Sequence, residues 1–425
     1  MIATVYPSSI GGALNVPASK SAMQRALAAA LIRSGKTTLF NPGRSADDLA
    51  ALRCIQTLGA SVEQLSDRWV IRSKGIHPAG NTLDCGESGL SIRMFTPLAA
   101  LSAVDMYITG SGSLKSRPMQ FFNEVLPQLG VNVSLNNGSL PIALQGPMQP
   151  KCLSIDGALS SQFLTGLLMA YSAAGAEDVV IEVNDLKSRP YIDLTLGVLQ
   201  KFGMPVPIND GYRYFSFPKN LRLTVPAEVE YRVEGDWSGA SFWFVAAALA
   251  GAIELTGLDA DSVQADRMIE RVTENNQLDL SGKEPIFHLH QGMPERFTFD
   301  ATDCPDLFPP LVALACHCEG ESIIKGISRL KHKESDRATV LKEEFGKLGV
   351  TITLQDDFMH VLGGQGLAGG RVCAQGDHRI AMALGVAALG ARGPVMIEEA
   401  ESVGKSYPGF WADLKSLGAS LTLTD

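Results

Sequence analysis

The segment from Pro17 to Leu27 has the residue types needed to bind an anion. A Pro-Ala-Ser turn leads into an Ala- and Leu-rich helix, with Lys20 at the junction, Ser21 after it and Arg25 about one turn later. A helix N-terminus offers unpaired backbone N–H groups and the positive end of the helix dipole, so it favours a negative charge. The segment therefore predicts a phosphate-binding helix start. Taken alone, it leaves open a capped surface helix with two solvated cations.

Three other predicted helix starts have a similar character. Ser160, Ser161 and Gln162 precede an apolar helix, and simple N-capping accounts for only one of the two serines. Arg117 and Arg189 each stand before a proline in nearly identical Lys-Ser-Arg-Pro segments, and proline is favoured at the first position of a helix. The two segments are 72 residues apart, so part of their likeness is explained by an internal repeat.

Charged residues also gather before predicted helices in the second half of the chain. The segment 331–337 holds six ionisable groups in seven residues; a solvated helix face is the ordinary interpretation, but a carboxylate held among cations can stay ionised and accept a proton. The triplet 377–379, Asp-His-Arg, leads directly into an apolar helix. Burying its charged side chains there would cost free energy unless the triplet lines a cleft. Lys405 adds a cation near the end of the chain.

Asp306 lies just before another apolar helix and is a candidate acid or base. Cys304 together with the triplet 316–318, Cys-His-Cys, offers a zinc site as the alternative. Adjacent residues on a helix point in different directions and suit a tetrahedral metal poorly, so we expect no metal. Gly89, in a Gly-rich turn before a helix, would let a ligand approach the backbone closely.

Composition excludes several classes of protein. The 425 residues carry a net charge of −9, which argues against a general nucleic-acid-binding protein. No apolar run is long enough to span a membrane, and the N-terminus lacks the features of a signal peptide. Seven scattered cysteines indicate reduced thiols and a cytoplasmic location. Walker and dinucleotide-binding sequences are missing, so we expect no ATP or NAD cofactor and small, multiply anionic substrates.

A repeat divides the chain into units of about 70 residues. Five segments share one order: a helix-like run, then a glycine, then alternating apolar residues. Their glycines are Gly59, Gly130, Gly203, Gly349 and Gly418, and successive glycines are 71, 73, 146 and 69 residues apart. The interval of 146 residues is twice 73, so a sixth helix cap is predicted halfway along it, at Asn276. We therefore predict six α/β units in two domains. Helices that are apolar on every face, at 240–250 and 380–389, favour helices inside and sheets outside, and 223–227 is a candidate linker.

Together these motifs resemble those of the EPSP synthase family (3-phosphoshikimate 1-carboxyvinyltransferases), in the family's order from residue 17 to 408. The resemblance rests on Lys20-Ser21 with Arg25, Ser160-Ser161-Gln162, Ser188-Arg189-Pro190-Tyr191, Lys333-Glu334-Ser335-Asp336-Arg337, Asp377-His378-Arg379 and Lys405. It implies an inside-out α/β barrel of six βαβαββ-type units, three per domain. Domain I would span 1–18 and 227–425, and domain II 19–226. It also implies a monomer that needs no cofactor.

The resemblance further implies transfer of the enolpyruvyl group of phosphoenolpyruvate to the 5-hydroxyl of shikimate 3-phosphate, by addition and then loss of phosphate. Asp306 would accept the hydroxyl proton, Glu334 would protonate the methylene carbon, and Lys20 would share in proton transfer, all in one interdomain cleft. Shikimate 3-phosphate would be held by Lys20, Ser21, Arg25, Ser160, Ser161, Gln162, Ser188, Tyr191, Asp306, Arg329 and Lys333. Phosphoenolpyruvate would be surrounded by Lys20, Gly89, Arg117, Gln162, Arg337, His378, Arg379 and Lys405.

Two positions depart from the family pattern. The family's turn usually has Asn-Ala/Ser-Gly-Thr where this chain has Glu87-Ser88-Gly89-Leu90, and we expect the Glu87 carboxylate to point away from the ligand or to pair with a cation. Arg329 replaces a frequent Asn. The roles of Glu87 and Arg329, and inhibitor sensitivity, stay open at this point.

Two other functions remain as alternatives. A sister enolpyruvyl transferase acts on UDP-N-acetylglucosamine; it typically has a reactive Cys in a flexible loop, a pattern that Cys85 does not match, and it lacks the Ser-Ser-Gln and Lys-Glu-Ser-Asp-Arg sequences. A non-catalytic anion-binding protein of the same fold is the second alternative. Pure anion binding would not need the carboxylates of Asp306 and Glu334.

Overall fold

The computed structural model of the chain describes residues 1–219, 226–273, 276–282, 285–292, 295–331 and 333–425. The chain forms two compact units, Met1–Ser19 with Glu234–Asp425, and Lys20–Val233. The second unit ends seven residues later than the predicted boundary at 226, because residues 228–232 form a strand that pairs in parallel with residues 36–40. Residues 223–225 of the candidate linker lie outside the described residues.

Several of the described helices begin close to the predicted charged and hydroxyl-bearing segments. None of them is long and apolar enough to cross a membrane. The α-helices are α1 (Lys20–Ile32), α2 (Ala46–Thr57), α3 (Gly89–Ala99), α4 (Gln120–Val125), α5 (Ser161–Ala173), α6 (Pro190–Lys201), α7 (Trp237–Ala250), α8 (Phe308–Ala315), α9 (Arg337–Lys347), α10 (His378–Ala387) and α11 (Phe410–Ser416). Short 3-10 helices lie at Gly112–Ser116, Leu126–Leu129, Ala265–Arg271, Pro305–Leu307, Ile327–Arg329, Ala388–Gly390 and Ala400–Lys405.

The strands form four-stranded sheets, three in each unit of the described chain. In chain order they are β1 (Ile2–Val5), β2 (Ile10–Asn15), β3 (Ser34–Phe40), β4 (Ser61–Gln64), β5 (Arg68–Lys74), β6 (Thr82–Asp84), β7 (Met106–Thr109), β8 (Asn132–Asn136), β9 (Ser139–Gln145), β10 (Leu153–Asp156), β11 (Val179–Asn184), β12 (Ile208–Asp210), β13 (Tyr214–Phe217), β14 (Glu228–Arg232), β15 (Gly251–Thr256), β16 (Asn276–Asp279), β17 (Ile286–Leu289), β18 (Thr298–Asp300), β19 (Gly320–Lys325), β20 (Thr351–Gln355), β21 (Phe358–Gly363), β22 (Gly370–Cys373), β23 (Val395–Glu398) and β24 (Leu421–Thr424).

One connection pattern recurs in these sheets. In the sheet β6-β7-β9-β8, β6 and β7 are parallel and α3 connects them, after which α4 leads to the antiparallel pair β8 and β9. Parallel neighbours need such a crossover, whereas antiparallel strands need only a turn. The sheets β10-β11-β13-β12 and β18-β19-β21-β20 repeat the pattern.

The other three sheets each include a strand from a distant part of the sequence. β14 joins β3 in parallel, β2 joins β15 in parallel, and β1 lies antiparallel between β23 and β24. These pairings complete the sheets β14-β3-β5-β4, β16-β17-β15-β2 and β22-β23-β1-β24. The first nineteen residues thereby belong to the same unit as the C-terminal half.

The predicted glycine caps are confirmed at five positions. Gly59, Gly130, Gly203, Gly349 and Gly418 all have positive φ, at 111°, 84°, 67°, 89° and 99°. A residue with a Cβ is strained in this conformation, which explains why glycine recurs there.

The prediction of a sixth helix cap at Asn276 is wrong. Asn276 begins the extended strand β16 and pairs with Leu289. The two residues before it lie outside the described residues.

The two helices predicted to be buried on every face are buried. Trp237, Phe242 and Trp243 of α7 are fully buried, and all ten residues of α10 are buried. The charged start of α10 is therefore inside the protein as well. Buried charges are costly unless they are paired, so their partners define the chemistry of this region.

A pair of glycines at the end of α9 tests the cap interpretation. A Cβ at Gly349, where φ is +89°, or at Gly346 within the helix would meet nothing within 4 Å. Replacing Gly349 with Ala should lower the free energy of unfolding by about 1 kcal/mol through backbone strain. Replacing Gly346 with Ala should raise it by about 0.5 to 1 kcal/mol. Urea denaturation measures both, and equal effects would contradict the cap assignment.

Candidate active site

Some of the predicted site residues, together with partners that the sequence did not predict, form two clusters, and each cluster lies within one unit. The carboxylate cluster, in the unit that includes the C-terminal half, consists of Asp306, Lys333, Glu334, Arg337, Asp377 and Arg379. The Lys20 cluster, in the other unit, consists of Lys20, Gln24, Arg25, Asp47, Arg93 and Gln162.

Arg337 is at the centre of the carboxylate cluster. Its side chain is 1% exposed. Its guanidinium donates to Asp306 at 2.7 Å, to Glu334 at 2.5 Å and to both oxygens of Asp377 at 2.7 and 3.2 Å. Burial lowers the pKa of Arg337, but the three carboxylates outweigh burial and hold it well above its usual range. The guanidinium is therefore a permanent buried charge that fixes three acidic side chains.

Asp306 is held by three cations. Its carboxylate accepts from Arg337, and it forms ion pairs with Lys333 at 3.3 Å and Arg379 at 3.1 Å. Burial raises the pKa of Asp306, but the charges of Arg379, Lys333 and Arg337 outweigh it and hold the pKa well below its usual range. The Asp306 carboxylate is therefore ionised. Because its side chain is 19% exposed, it can still contact a ligand.

Local capping explains how the cluster residues come to these positions. Asp377 caps α10 by accepting from the N–H of Arg379 at 3.0 Å, and Asp336 caps α9 by accepting from the N–H of Thr339 at 3.4 Å. The cap of α10 is thus the same carboxylate that holds Arg337. Asp306 lies in the short 3-10 helix that leads into α8. Three helix starts therefore carry the carboxylate cluster.

The other predicted residues of this unit lie around the cluster. His378 is 1% exposed at the first position of α10, and Lys405 donates to the carbonyl of Gly376 at 2.9 Å in the turn before it. Burial lowers the pKa of Lys333, and the charges of Arg337 and Arg329 add to that effect while Asp306 opposes it. Arg329, which ends the 3-10 helix 327–329, therefore acts electrostatically on the cluster.

Asp266, which no sequence motif indicates, lies near the carboxylate cluster. Its side chain is buried and accepts from the hydroxyl of Ser238, on the first turn of α7. Burial, with a smaller contribution from the charge of Asp306, raises the pKa of Asp266 to about 6. Two carboxyl groups with opposite pKa shifts therefore lie close together in this unit.

Lys20 begins α1, as predicted, and is paired with an acid from a neighbouring helix. Its ammonium lies 3.0 Å from Asp47 in the first turn of α2, and both side chains are largely buried. The start of α2 is fixed by a reciprocal capping box between Ser45 and Asp48. Burial raises the pKa of Asp48 to about 7. Asp47 is thus rigidly presented to Lys20.

Arg25 connects three helices. Its guanidinium donates to the hydroxyl of Thr195 at 2.9 Å, to the carbonyl of Ser21 at 2.9 Å, to the carbonyl of Tyr191 at 3.3 Å and to the hydroxyl of Thr165 at 3.5 Å. Arg25 is 1% exposed. These contacts join α1 to α5 and α6 and fix the backbone of predicted ligand residues Ser21 and Tyr191.

The starts of α3 and α5 are also connected through side chains. Gln162 accepts from Arg93 at 2.7 Å, and the Arg93 guanidinium lies 5.1 Å from the Phe163 ring centroid. Ser160 caps α5 by accepting from the N–H of Gln162 at 3.3 Å, and Ser161 is the first residue of that helix.

Gln24 provides a second connection, from α1 to α3. Its side-chain carbonyl accepts from the hydroxyls of Ser88 and Ser91, each at 3.0 Å. The predicted Lys20 segment is therefore joined to the Gly-rich turn by a buried amide.

Ser188 and the two Arg-Pro segments differ in local geometry. Ser188 is buried and has φ of +56°, a conformation that is rare for a residue with a Cβ and that is often found at functional sites. Pro190 begins α6 as predicted, but α4 begins at Gln120, two residues after Pro118. Arg117 instead follows the 3-10 helix 112–116.

The cysteines considered for zinc have other contacts. Cys316 and Cys318 donate to the carbonyls of Ala313 and Leu314 in the preceding helix α8, and His317 contacts the carbonyl of Ala387 at 2.9 Å. Within the described ranges there is no group of three or more His, Cys, Asp or Glu side chains that could hold a metal ion.

Sequence reasoning missed several residues of the two clusters. Arg93 could have been found, because it stands four residues after Gly89 and hence one turn along the same helix. Asp377 belongs to the charged triplet 377–379, but its pairing with Arg337 does not follow from the sequence spacing. Asp47 and Gln24 had no visible signal, because their partners are brought to them by tertiary packing.

Comparison with known proteins gives a consistent result. The family model of EPSP synthase (3-phosphoshikimate 1-carboxyvinyltransferase) matches residues 5–414. A 3-phosphoshikimate 1-carboxyvinyltransferase of Clostridium kluyveri is 33% identical over 419 residues, covering 98% of this chain and 97% of the relative. One from Methanopyrus kandleri is 35% identical, covering 96% of each chain.

Solved structures share the mixed α/β fold. An EPSP synthase structure from Acinetobacter baumannii superposes with a TM-score of 0.82 at 24% identity and covers the whole of both chains. The enolpyruvyl transferase NikO from Streptomyces tendae superposes with a TM-score of 0.75 at 17% identity, covering 100% of this chain and 98% of its own. At these identities the likeness establishes the fold alone.

The buried pair of Arg337 and Asp377 should contribute far more to stability than a surface pair. Asp377→Asn keeps an oxygen for capping α10 but removes one charge, and it should lower the free energy of unfolding by about 3 kcal/mol. The control is Glu398→Gln, which removes the exposed ion pair with Arg371 and should cost less than about 1 kcal/mol. Urea denaturation of both variants measures the difference. Costs of similar size would show that the buried network is not a structural requirement.

Proposed function

Because this chain belongs to the EPSP synthase (3-phosphoshikimate 1-carboxyvinyltransferase) family, we propose that its two clusters take part in one reaction. The protein is a transferase that moves an enolpyruvyl group from phosphoenolpyruvate to shikimate 3-phosphate in the shikimate pathway. Both substrates are anions, which suits cations placed at helix starts. The common cleft expected from the sequence stays a prediction.

We propose that the reaction proceeds by addition and elimination at the 5-hydroxyl of shikimate 3-phosphate. Glu334 delivers a proton to the methylene carbon of phosphoenolpyruvate, while Asp306 accepts the proton of the attacking hydroxyl. In the elimination the methyl group returns one proton to the Glu334 carboxylate while phosphate leaves from the neighbouring carbon, which restores the double bond. Lys20 shares in these proton transfers. The separation of acid and base roles between two fixed carboxyl groups is typical of such catalysis.

The observation that carries this proposal is the contact of Asp306 with three cations. At neutral pH it keeps Asp306 ionised and able to accept a proton. An incoming phosphate or carboxylate would compete for Lys333 and Arg379, weaken their hold on Asp306 and raise its pKa. Substrate binding would thus make Asp306 a stronger base at the moment it is needed.

We assign shikimate 3-phosphate to hydroxyl and cationic side chains from both clusters. The support is that Arg25 fixes Ser21 and Tyr191, and that Ser160 and Ser161 stand at the start of α5. The proposed ligands are Lys20, Ser21, Arg25, Ser160, Ser161, Gln162, Ser188, Tyr191, Asp306, Arg329 and Lys333.

We assign phosphoenolpyruvate to a more cationic set. Fixed positive charges would hold its phosphate and carboxylate and stabilise charge that develops during addition. Gly89 would contribute the backbone at the start of α3. The proposed ligands are Lys20, Gly89, Arg117, Gln162, Arg337, His378, Arg379 and Lys405.

We also propose the finer features that the family implies. Each unit would be an inside-out barrel with helices inside and sheets outside, in keeping with the buried α7 and α10. The protein would act as a monomer in the cytoplasm and would not bind nucleic acid, in keeping with its net charge of −9.

An acceptor assay tests the substrate directly. Phosphate release from phosphoenolpyruvate is measured with shikimate 3-phosphate, with UDP-N-acetylglucosamine and with no acceptor. We expect release only with shikimate 3-phosphate. Release only with the amino sugar would support the sister transferase, and release with neither would support a non-catalytic anion-binding protein.

The role of Asp306 can be separated from ligand binding. Asp306→Asn keeps the shape of the side chain but removes the proton acceptor, so kcat should fall about 100-fold or more. Calorimetric titration should still detect shikimate 3-phosphate with a Kd within a few-fold of that of the unchanged protein. The control is Asp300→Asn; Asp300 is an exposed residue of β18 that pairs with Lys325, and its replacement should leave kcat unchanged. Full activity of the Asp306 variant would remove Asp306 from the mechanism.

A further inference from the structure

We propose that Glu87 is a positioning residue for Arg117: its carboxylate anchors the 3-10 helix 112–116 so that the Arg117 guanidinium is held against Gly89. The inference rests on the proposed assignment of Arg117 to phosphoenolpyruvate. It gives a role to a carboxylate that departs from the family pattern and that would be unfavourable if it faced an anionic substrate.

The first contact joins Glu87 to the start of the 3-10 helix. Its Oε2 accepts from the backbone N–H of Ser113 at 3.2 Å. The residue at the N-cap position, Ser111, makes no capping hydrogen bond with its side chain. Glu87 therefore supplies, from a different part of the chain, an acceptor that the helix start needs.

Gly112 leaves room for this contact. Its φ is +53°, and an added Cβ would collide with the carboxylate of Glu87. Any other residue at position 112 would have both a strained backbone and a displaced Glu87. The carboxylate thus packs directly on the backbone that it anchors.

The second contact joins the helix to Arg117. The Nη2 of Arg117 donates to the hydroxyl of Ser113 at 3.2 Å, four residues earlier, and Arg117 is 5% exposed. Its Nη1 lies so close to Gly89 that a Cβ there would collide with it. Ser113 therefore receives Glu87 through its backbone and Arg117 through its side chain.

Together these contacts connect the 112–117 segment at both ends to the turn that contains Glu87 and Gly89. Glu87 and Gly89 are two residues apart in the same turn, and Ser88 between them caps α3 by accepting from the N–H of Ser91. One end of the 112–117 segment is attached to Glu87 and the other end lies on Gly89. Loss of Glu87 would free the segment and let a long, flexible side chain leave the orientation that suits a bidentate anion contact.

A kinetic split between the two substrates tests this role. Glu87→Ala should raise the KM for phosphoenolpyruvate about 10-fold, the size of effect expected when a hydrogen bond that positions a charge is lost. The KM for shikimate 3-phosphate and kcat should stay within about 2-fold. Glu87→Gln should have an intermediate effect, because its amide oxygen can still accept from Ser113. Glu124→Ala, on exposed α4 surface, is the control and should change nothing.

A variant cycle shows whether Glu87 acts through Arg117. In an Arg117→Ala background, Glu87→Ala should cause no additional rise in the KM for phosphoenolpyruvate. An equal rise in both backgrounds, a matching rise for shikimate 3-phosphate, or a fall in the KM for phosphoenolpyruvate would overturn the proposal. The last result would mean that the carboxylate repels the substrate.

A measurement on the ligand-free protein separates this inference from the proposed function. The Nε–Hε NMR signal of Arg117, assigned with Arg117→Lys, should shift and broaden in Glu87→Ala and stay in place in Glu124→Ala. An unchanged signal in Glu87→Ala would overturn the positioning role. If instead Arg117→Ala leaves the KM for phosphoenolpyruvate unchanged while this signal responds to Glu87, the ligand assignment of Arg117 fails and the positioning contact stands.

Discussion

A buried guanidinium needs partners, and this requirement organises the unit that contains the C-terminal half. Arg337 is 1% exposed, and it meets carboxylates from three segments: Asp306 before α8, Glu334 before α9 and Asp377 at the start of α10. No single segment could satisfy it. The three helix starts come together around this guanidinium, and the same assembly places two proposed catalytic carboxyl groups on one cation. Stability and chemistry depend on the same contacts here.

The other unit meets a similar requirement with more varied groups. Lys20 is paired with Asp47, Arg25 is held mainly by hydroxyls and carbonyls, and Arg93 is held by Gln162 and an aromatic ring. Neutral partners fix a guanidinium without cancelling its charge. Arg25 therefore keeps a field that favours anions, while α5 and α6 set its orientation. This arrangement is suited to multiply charged substrates such as those of the family.

Local features of the sequence predicted more than distant ones. The five glycine caps and the starts of α1, α5, α6 and α10 followed from residues within one or two turns, because capping is a short-range interaction. Asn276 shows the limit, since strand pairing with Leu289 prevailed over a cap that the repeat spacing favoured. Lys20 pairs with Asp47, 27 residues away, and Glu87 accepts a hydrogen bond from Ser113, 26 residues away. Neither contact could be inferred from the spacing of residues in the sequence. The resemblance indicated ligand residues but not the contacts that hold them in place.

In the proposed mechanism, fixed carboxyl groups and cations carry out addition and elimination on two anionic substrates. The most direct test runs the reaction in D₂O and measures deuterium in the enolpyruvyl methylene group of the product by mass spectrometry. Addition places a solvent deuteron on the methyl carbon of the intermediate, and elimination then removes one of its three hydrogens. We expect a product in which most molecules carry deuterium at the methylene carbon. A product without deuterium there would contradict it.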